Sequence, residues 1–439
     1  MGFQTPFQDY GIITANPLNV EHILKTNFEN YPKGQRSTTF LKDFLGQGIF
    51  NSDGEQWRHQ RKLASHEFNK RSLRNFVVNT VQWEIENRLL PLLRRAEERD
   101  EVLDLQDILE CFGFDNICKV AFNEDPACLG TKEEEEKSMS KEFKKAFGDA
   151  QSLSMVRFMD VFPYTWRIKK VFDVGSERKL RESMSVVHEF ATKIIRERRE
   201  KPVGMLCGGE DLLSRFASEK ENSEEFLRDI VISFVLAGRE TTSSALSWFF
   251  WLVSTRPDVE VKIVKEVEEV RARYQNSGES FGFDELREMQ YLHAAVTESM
   301  RLYPPVALDT LACREDDTLP DGSFVGKGWF VTYSAYAMGR MEEIWGKDWG
   351  EFRPERWLED GVFRPESPIR FPVFHAGPRM CLGKEMAYIQ MKSVVASVLE
   401  QFSVDVLLKG RTPEQVLSMT LRMKDGLPVQ VKKRERLTV

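Results

Sequence analysis

From Glu224 to Ser254 the sequence reads as one helix of roughly 30 residues, about 45 Å long at 1.5 Å per residue. It is apolar on nearly every face over 230–237 and again over 245–253. A helix with no polar face has to be wrapped by protein on all sides. The chain must therefore stack other helices around this one, which requires a large helical body. The middle of the segment is Ala237-Gly238-Arg239-Glu240-Thr241-Thr242. Polar groups in a buried helix cost stability unless they are partnered, so this interruption needs a reason.

The remaining pattern supplies the other helices. Asn16-Pro17 opens an amphipathic run with proline in the first turn. Helical periodicity covers Gly54 to Phe68, Ser72 to Glu98 (with Pro91 expected to kink it or end it early) and Val174 to Glu200. The run 196–204 with the Cys-Gly-Gly soon after it reads as an exposed end and linker, and Glu133 to Glu136 as a solvated loop or helix start. After Tyr303-Pro304-Pro305 the period changes. Short alternating runs at Val306 to Cys313, Ser323 to Gly326 and Trp329 to Tyr333, separated by Leu319-Pro320-Asp321-Gly322, predict a small sheet with hairpins. Helix returns from Cys381 to Phe402, and short strands come after Ser403. The fold class is mainly α with a small β region, in one domain over 1–439.

Composition excludes several functions. Net charge is −7 with no basic arm, against nucleic-acid binding. Six cysteines in 439 residues make no disulfide framework and suggest a reducing compartment. Ser243 to Ser254, the best membrane candidate, is too short to span. No signal peptide opens the chain, and the expectation is that an N-terminal segment is missing.

Four constellations carry chemistry. The first is Phe374-x-x-Gly377-x-Arg379-x-Cys381-x-Gly383. An isolated cysteine is usually a small hydrophobe. Here Cys381 precedes a helix, whose amides and dipole favour a thiolate. Gly377 permits a tight turn beneath a flat cofactor, Gly383 a close helix approach, and Arg379 can meet a carboxylate. The second is Glu298 and Arg301, three apart on one helix face, with Arg356 further along. Alone they would be a surface ion pair; buried, they would lock the irregular 342–378 segment to the core. The third is Glu240-Thr241 beside Gly238, an acid and an alcohol that can relay protons, although a mid-helix Thr can also bond back to its own helix. The fourth is Trp57 and Arg61, one turn apart, which can hold an anionic group through an indole N–H and a guanidinium fork.

In this order the four elements resemble a cytochrome P450, over essentially the whole chain from Gly11. The resemblance implies the cytochrome P450 fold, with haem b between the long central helix and the Cys-loop helix. It implies Cys381 as the axial thiolate and metal ligand, the type of ligation that favours O–O cleavage. It further implies Trp57, Arg61 and Arg379 as propionate contacts, Phe374, Gly377 and Gly383 as cofactor contacts, Glu240 and Thr241 as the catalytic acid–alcohol pair, and Glu298, Arg301 and Arg356 as a structural triad. The stretches 48–68, 336–349 and 371–394 are similar to the plant fatty-acid ω-hydroxylase branch, family 94. That implies hydroxylation at or near the methyl end of an aliphatic carboxylate with dioxygen and NADPH-derived electrons. Some relatives hydroxylate jasmonoyl–amino-acid conjugates instead.

The same resemblance implies NADPH–cytochrome P450 reductase as electron donor, cytochrome b5 as a further one, a small aliphatic substrate, a monomer, and the cytosolic face of the endoplasmic reticulum membrane, with the expectation that this chain lacks the relatives' membrane anchor. Arg58, Arg61, Lys62, Lys70, Arg71 and Arg74, with Lys384, read as a basic docking face. Phe234 and the Val306–Asp309 stretch are expected to line the pocket. Two other readings stay open: an isomerase or dehydratase of fatty hydroperoxides, and a non-catalytic haem-binding protein. Cys313 and Arg314 match no motif and receive no role.

Overall fold

The computed structural model describes residues 2–4, 10–68, 70–76, 80–130, 140–159, 165–200, 211–219, 222–408 and 411–434. The acidic stretch 133–136 and the linker at 201–209 lie outside them.

The central helix runs over 224–254 as expected, but in three parts: Glu224–Val235, a π-helical turn at Leu236–Glu240, and Thr241–Ser254. The π turn falls on the polar interruption. Such a turn inserts a residue and re-aims the side chains after it, and it is frequent at functional sites. The helix Leu105–Phe122 crosses it there at very short range. A Cβ on Gly238 would lie 2.5 Å from Ile117 Cβ, and one on Gly113 would lie 3.1 Å from the carbonyls of Gly238 and Arg239. Side chains along the helix satisfy themselves by bonding back one turn: Ser233 to Asp229 O at 2.8 Å, Ser243 to Arg239 O at 2.8 Å and Ser247 to Ser243 O at 2.8 Å.

Pro91 does not end its helix. A π turn at Ile85–Leu89 precedes it, and Pro91 enters the first turn of Leu90–Glu98. The distortion sits upstream, where the proline ring would otherwise strike a carbonyl.

Four strands form the main sheet, in the order Gly2–Gln4, Tyr10–Thr14, Phe330–Ser334, Leu308–Ala312. Ile12 pairs with Val331 in parallel and Leu311 with Val331 antiparallel, so the sheet joins the N-terminal strands to the 308–334 region. It packs Ile12, Ile23, Leu311, Val325 and Tyr333 into a second, smaller core beside the large helical one.

The segment between sheet and thiol-bearing helix is held by one carboxylate. Glu298 and Arg301, both fully buried, face each other at 2.7 and 2.8 Å. Arg356 Nε donates to Glu298 Oε1 at 2.8 Å, Trp357 Nε1 to Oε2 at 2.8 Å, and the Arg353 amide to Oε1 at 3.0 Å. Arg301 also reaches the carbonyls of Gly339, Trp349 and Glu351, and Arg356 those of Trp345 and Asp348. Two guanidinium groups thus serve as the internal hydrogen-bond partners of a stretch that has almost no regular structure.

Cys111 and Cys128 are joined as a disulfide, a single link that the cysteine count did not point to and that makes no framework. The Asp115 carboxylate accepts the amides of Cys128 at 2.8 Å and Leu129 at 2.9 Å, folding the loop back onto the helix that carries Cys111. That loop contact had no signature in cysteine spacing.

Glu298→Ala should strand two buried guanidinium groups and lower stability by roughly 3–5 kcal/mol. Denaturant unfolding of the variant checks this; a loss below about 1 kcal/mol would show that the network carries no weight.

Candidate functional site

A cavity of about 260 Å³ lies between the central helix and the helix Lys384–Gln401. Close-packed interiors leave few voids larger than a water molecule, so a space this size is shaped for an occupant. The central helix contributes Phe234, Ala237, Gly238, Thr241 and Ala245 to its wall. The opposite wall is Val373, Phe374, Cys381, Leu382, Gly383 and Met386. Trp57 and Arg61, from the helix Gly54–Ser65, join Arg379 on the same cavity.

Cys381 is set by its own loop. Its amide donates to Phe374 O at 2.8 Å, Met380 N bonds Gly377 O at 3.1 Å, and the helix starts three residues later. The residue is solvent-accessible only in the sense that its sulfur faces the cavity. Burial pushes the thiol up; the amides of Gly383 and Lys384 and the charges of Arg61 and Lys384 pull it down without cancelling the burial. The amides at the helix start favour the thiolate, as expected, but do not outweigh the burial. The donors are in place, and a cation at the sulfur has to supply the rest.

Arg61 Nη2 donates to Met380 O at 2.6 Å, beside the cysteine. Arg379 Nη2 bonds Ser52 O at 3.0 Å and Asp53 Oδ1 at 2.7 Å, and its guanidinium stacks 4.4 Å from the Trp57 ring. Its buried Nε has no partner among the protein atoms. A Cβ on Gly383 would meet Phe68 at 3.6 Å and Cys381 Sγ at 3.8 Å, ordinary contacts. The protein packing itself therefore does not demand glycine there. Two arginines and an indole on the wall, a lone thiol facing inward and apolar surfaces elsewhere form a donor set suited to a flat apolar ring bearing carboxylates and a thiolate-ligated metal.

The cytochrome P450 family model matches residues 8–430. The chain belongs to the cytochrome P450 family. As a cytochrome P450 it is a monooxygenase that binds haem b through a cysteine thiolate, and it works with a redox partner on a small molecule. It is 54% identical to cytochrome P450 CYP94D108 of Paris polyphylla, over 97% of this chain and 84% of that one. It is 48% identical to cytochrome P450 94A1 of Vicia sativa and 48% identical to cytochrome P450 94B1 of Arabidopsis thaliana, each over 97% of this chain and 82% of the relative. These relatives place the P450 in the family 94 group. No helix among the described residues is long and apolar enough to cross a membrane.

Not every residue that the sequence singled out reaches the cavity of this P450. Thr241 does, with its hydroxyl donating to Ala237 O at 2.6 Å. Glu240 does not. The π turn places its buried carboxylate 3.2 Å from Arg239, which also binds Glu110 at 3.0 Å. Both Glu240 oxygens lack a hydrogen-bond partner. Gly377 is not on the wall either: it opens the tight turn Gly377–Arg379 at φ +63°, and because a Cβ there would lie 2.0 Å from Leu24 O, the glycine also accommodates the neighbouring 17–26 helical segment. Phe234, Val306 and Asp309 are on the wall, as expected.

A polar cluster on the wall went unread. Lys33 Nζ binds Asp309 at 2.7 and 2.9 Å; Asp309 lies 3.8 Å from His375 Nδ1, which pairs with the Tyr333 hydroxyl. Burial would raise Asp309, but Lys33 and His375 outweigh it and hold the carboxyl below its usual range. Burial, opposed by Asp309 and aided by Lys33, Arg379 and Arg61, keeps His375 below the usual imidazole range. Lys33 and Asp309 are 276 residues apart, so no local spacing could have joined them.

Gly377→Ala should force a left-handed alanine, at about 1–3 kcal/mol, and a clash with the Leu24 carbonyl. The expected result is a lower unfolding midpoint together with poor haem retention; a variant with wild-type stability and haem content would contradict the packing role.

Proposed function

We propose that Cys381 is the axial ligand and that this P450 hydroxylates the terminal or near-terminal carbon of a fatty acid or related aliphatic carboxylate. The observation that carries the ligand assignment is that, among the described residues, Cys381 is the one cysteine on the cavity wall. The apolar wall of Phe234, Ala237, Ala245 and Val306 and the resemblance to the ω-hydroxylase branch support the substrate class.

Haem b, when bound, supplies the activation of dioxygen and the hydrogen abstraction that the side chains cannot perform. The protein's part is positioning and proton handling. Arg61, Arg379 and Trp57 hold the propionates, with Asp53 fixing the Arg379 fork. Phe374 and Gly383 flank the thiol and Gly377 shapes the loop that presents it. Glu298, Arg301 and Arg356 fix the segment leading to that loop. Thr241, whose hydroxyl rests on Ala237 O at the cavity wall, would hold a proton there and donate it on the side where the haem would activate dioxygen. Glu240 resupplies that proton after leaving Arg239, since it starts behind the wall.

Residues 1–439 act as a single catalytic domain and as a monomer. Electrons come from NADPH–cytochrome P450 reductase, with cytochrome b5 as a second donor, at the cytosolic face of the endoplasmic reticulum. The docking face is narrower than the sequence reading. Arg58 is paired with Glu29 and Glu55, Arg74 with Asp284, and Arg61 points into the cavity. Lys62 and Lys384 remain for docking; the side chains of Lys70 and Arg71 lie outside the described ones.

One observation favours a jasmonoyl–amino-acid conjugate as the second reading. The Lys33–Asp309–His375 cluster can bond an amide, which a plain fatty acid lacks. Turnover with added reductase separates the two. Dodecanoic acid converted mainly at its terminal carbon supports the first; conversion of jasmonoyl-isoleucine alone replaces it with the second; no NADPH-dependent product from either rejects both. Thr241→Ala should raise hydrogen peroxide released per NADPH several-fold, and unchanged coupling would remove Thr241 from proton delivery.

A further inference from the structure

Behind the cavity wall, four side chains form a line of alternating charge. Glu240 lies 3.2 Å from Arg239 Nη1, Arg239 Nη2 donates to Glu110 Oε2 at 3.0 Å, and Arg422 Nη2 donates to Glu110 Oε1. The first three residues are buried, while the Arg422 side chain is 29% exposed. The frame around them is fixed. Glu110 stands one turn before Gly113 on the helix Leu105–Phe122, where that helix crosses the π turn. Arg422 comes from the hairpin of Gln415–Leu417 with Leu421–Met423. The Leu421 carbonyl accepts Ser244 Oγ at 2.7 Å and Trp248 Nε1 at 2.9 Å from the central helix. Met423 exchanges two backbone hydrogen bonds with the Gln106 side-chain amide, at 3.0 and 3.1 Å. The hairpin is thereby pinned to both helices.

Within this line the hydrogen bonds are shared unequally. Glu110 accepts from both arginines, one on each oxygen, which is the bonding of a carboxylate. Burial raises this carboxyl; Arg239, Arg422 and Lys144 oppose the burial and Glu240 adds to it. Glu240 has Arg239 as its near cation, yet neither of its oxygens accepts a hydrogen bond, and Arg239 Nη1 has no hydrogen-bond partner among the described residues. A buried carboxylate without hydrogen bonds costs stability, and a two-pronged pair with the adjacent guanidinium is the ordinary remedy. Glu110 draws that guanidinium the other way.

We propose that Glu110 is a positioning residue for proton delivery: by competing for Arg239 it keeps that guanidinium from closing on Glu240, so that Glu240 stays able to leave Arg239 and serve Thr241. The inference rests on the reading of Glu240 and Thr241 as the proton-delivering pair. It adds the residue that sets how firmly the acid is held. Neither Glu110 nor Arg422 is on the cavity wall, so both act through Arg239.

Hydrogen peroxide released per NADPH tests it, measured on the haem-loaded protein with added reductase and dodecanoic acid, or with jasmonoyl-isoleucine where that is the one turned over. Glu110→Gln should raise the ratio several-fold, toward that of Thr241→Ala, while the substrate-induced spectral titration and the carbon-monoxide difference spectrum stay as in the wild type. Glu110→Asp keeps the charge but draws it back by one carbon, and should fall in between. Arg422→Gln should act in the opposite sense and lower the ratio, because Glu110 then pulls on Arg239 alone. A crystal structure of Glu110→Gln should show Arg239 joined to Glu240 by two hydrogen bonds; an Arg239 left in its wild-type position would overturn the inference whatever the probe. A ratio raised by Glu110→Gln and Arg422→Gln alike would mark general damage to the fold and overturn it too. Unchanged coupling in Glu110→Gln, beside uncoupled Thr241→Ala and Glu240→Gln, removes Glu110 and leaves the proton-delivering pair standing. Full coupling in all three removes the pair, and Glu110 with it. Should Glu110→Gln not fold, Glu110→Asp and Arg422→Gln decide: a ratio raised by the first and not by the second supports the competition, and one raised by both or by neither overturns it.

Discussion

A thiol enclosed in an apolar cavity resists ionisation, and the fold around Cys381 is arranged against that resistance. Burial raises the thiol; the Gly383 and Lys384 amides and the Arg61 and Lys384 charges oppose it. None of these donors is free to drift. Arg61 is tied to the Met380 carbonyl, and the Cys381 amide to Phe374 O. The segment before it hangs from the Glu298 carboxylate through Arg301, Arg356 and Trp357. Removing burial would make the thiolate easier to form but would also admit water to the place where oxygen chemistry has to stay dry. The donors therefore offset the burial only in part, and a metal cation at the sulfur would add the remaining pull.

The central helix meets the same conflict from the other side. It must be apolar to be buried, yet it has to present an alcohol to the cavity. The π turn at Leu236–Glu240 answers both needs. It puts Thr241 on the wall, turns Glu240 and Arg239 into a buried ion network with Glu110, and brings Gly238 against Ile117 where no larger residue fits. A straight helix could not divide its polar residues this way.

These two solutions differ in how far they could be read from the chain. The Cys381 loop and the Glu298–Arg301 pair were legible because their residues are near neighbours in sequence and their spacing maps directly onto a turn or a helix face. Arg356 was legible as the third charge of that network, and it does meet the Glu298 carboxylate. The central helix was legible by its unbroken apolarity, and the short alternating runs after Pro305 located the sheet. The facing of Glu240 was not legible, because one inserted residue in a π turn rotates every later side chain and leaves no mark in periodicity. The Lys33–Asp309–His375 cluster was invisible for a different reason: Asp309 lies opposite Tyr333 in the antiparallel pairing of Leu308–Ala312 with Phe330–Ser334, and Lys33 and His375 reach it from far away in the chain. The Cys111–Cys128 bond depends on Asp115 folding a loop, a contact that no cysteine count reports. Gly377 was legible as a residue needing a special conformation, but its close approach to the Leu24 carbonyl was not, because Leu24 is far away in the chain.

The account depends on the Cys381 sulfur being the anion that holds the iron. The most direct measurement is the carbon-monoxide difference spectrum of the reduced protein, taken for the wild type and for Cys381→Ser at equal haem load. The wild type should show the long-wavelength band of a thiolate-ligated haem, and Cys381→Ser should lose it. An identical band in both proteins would place the ligand elsewhere and contradict the account.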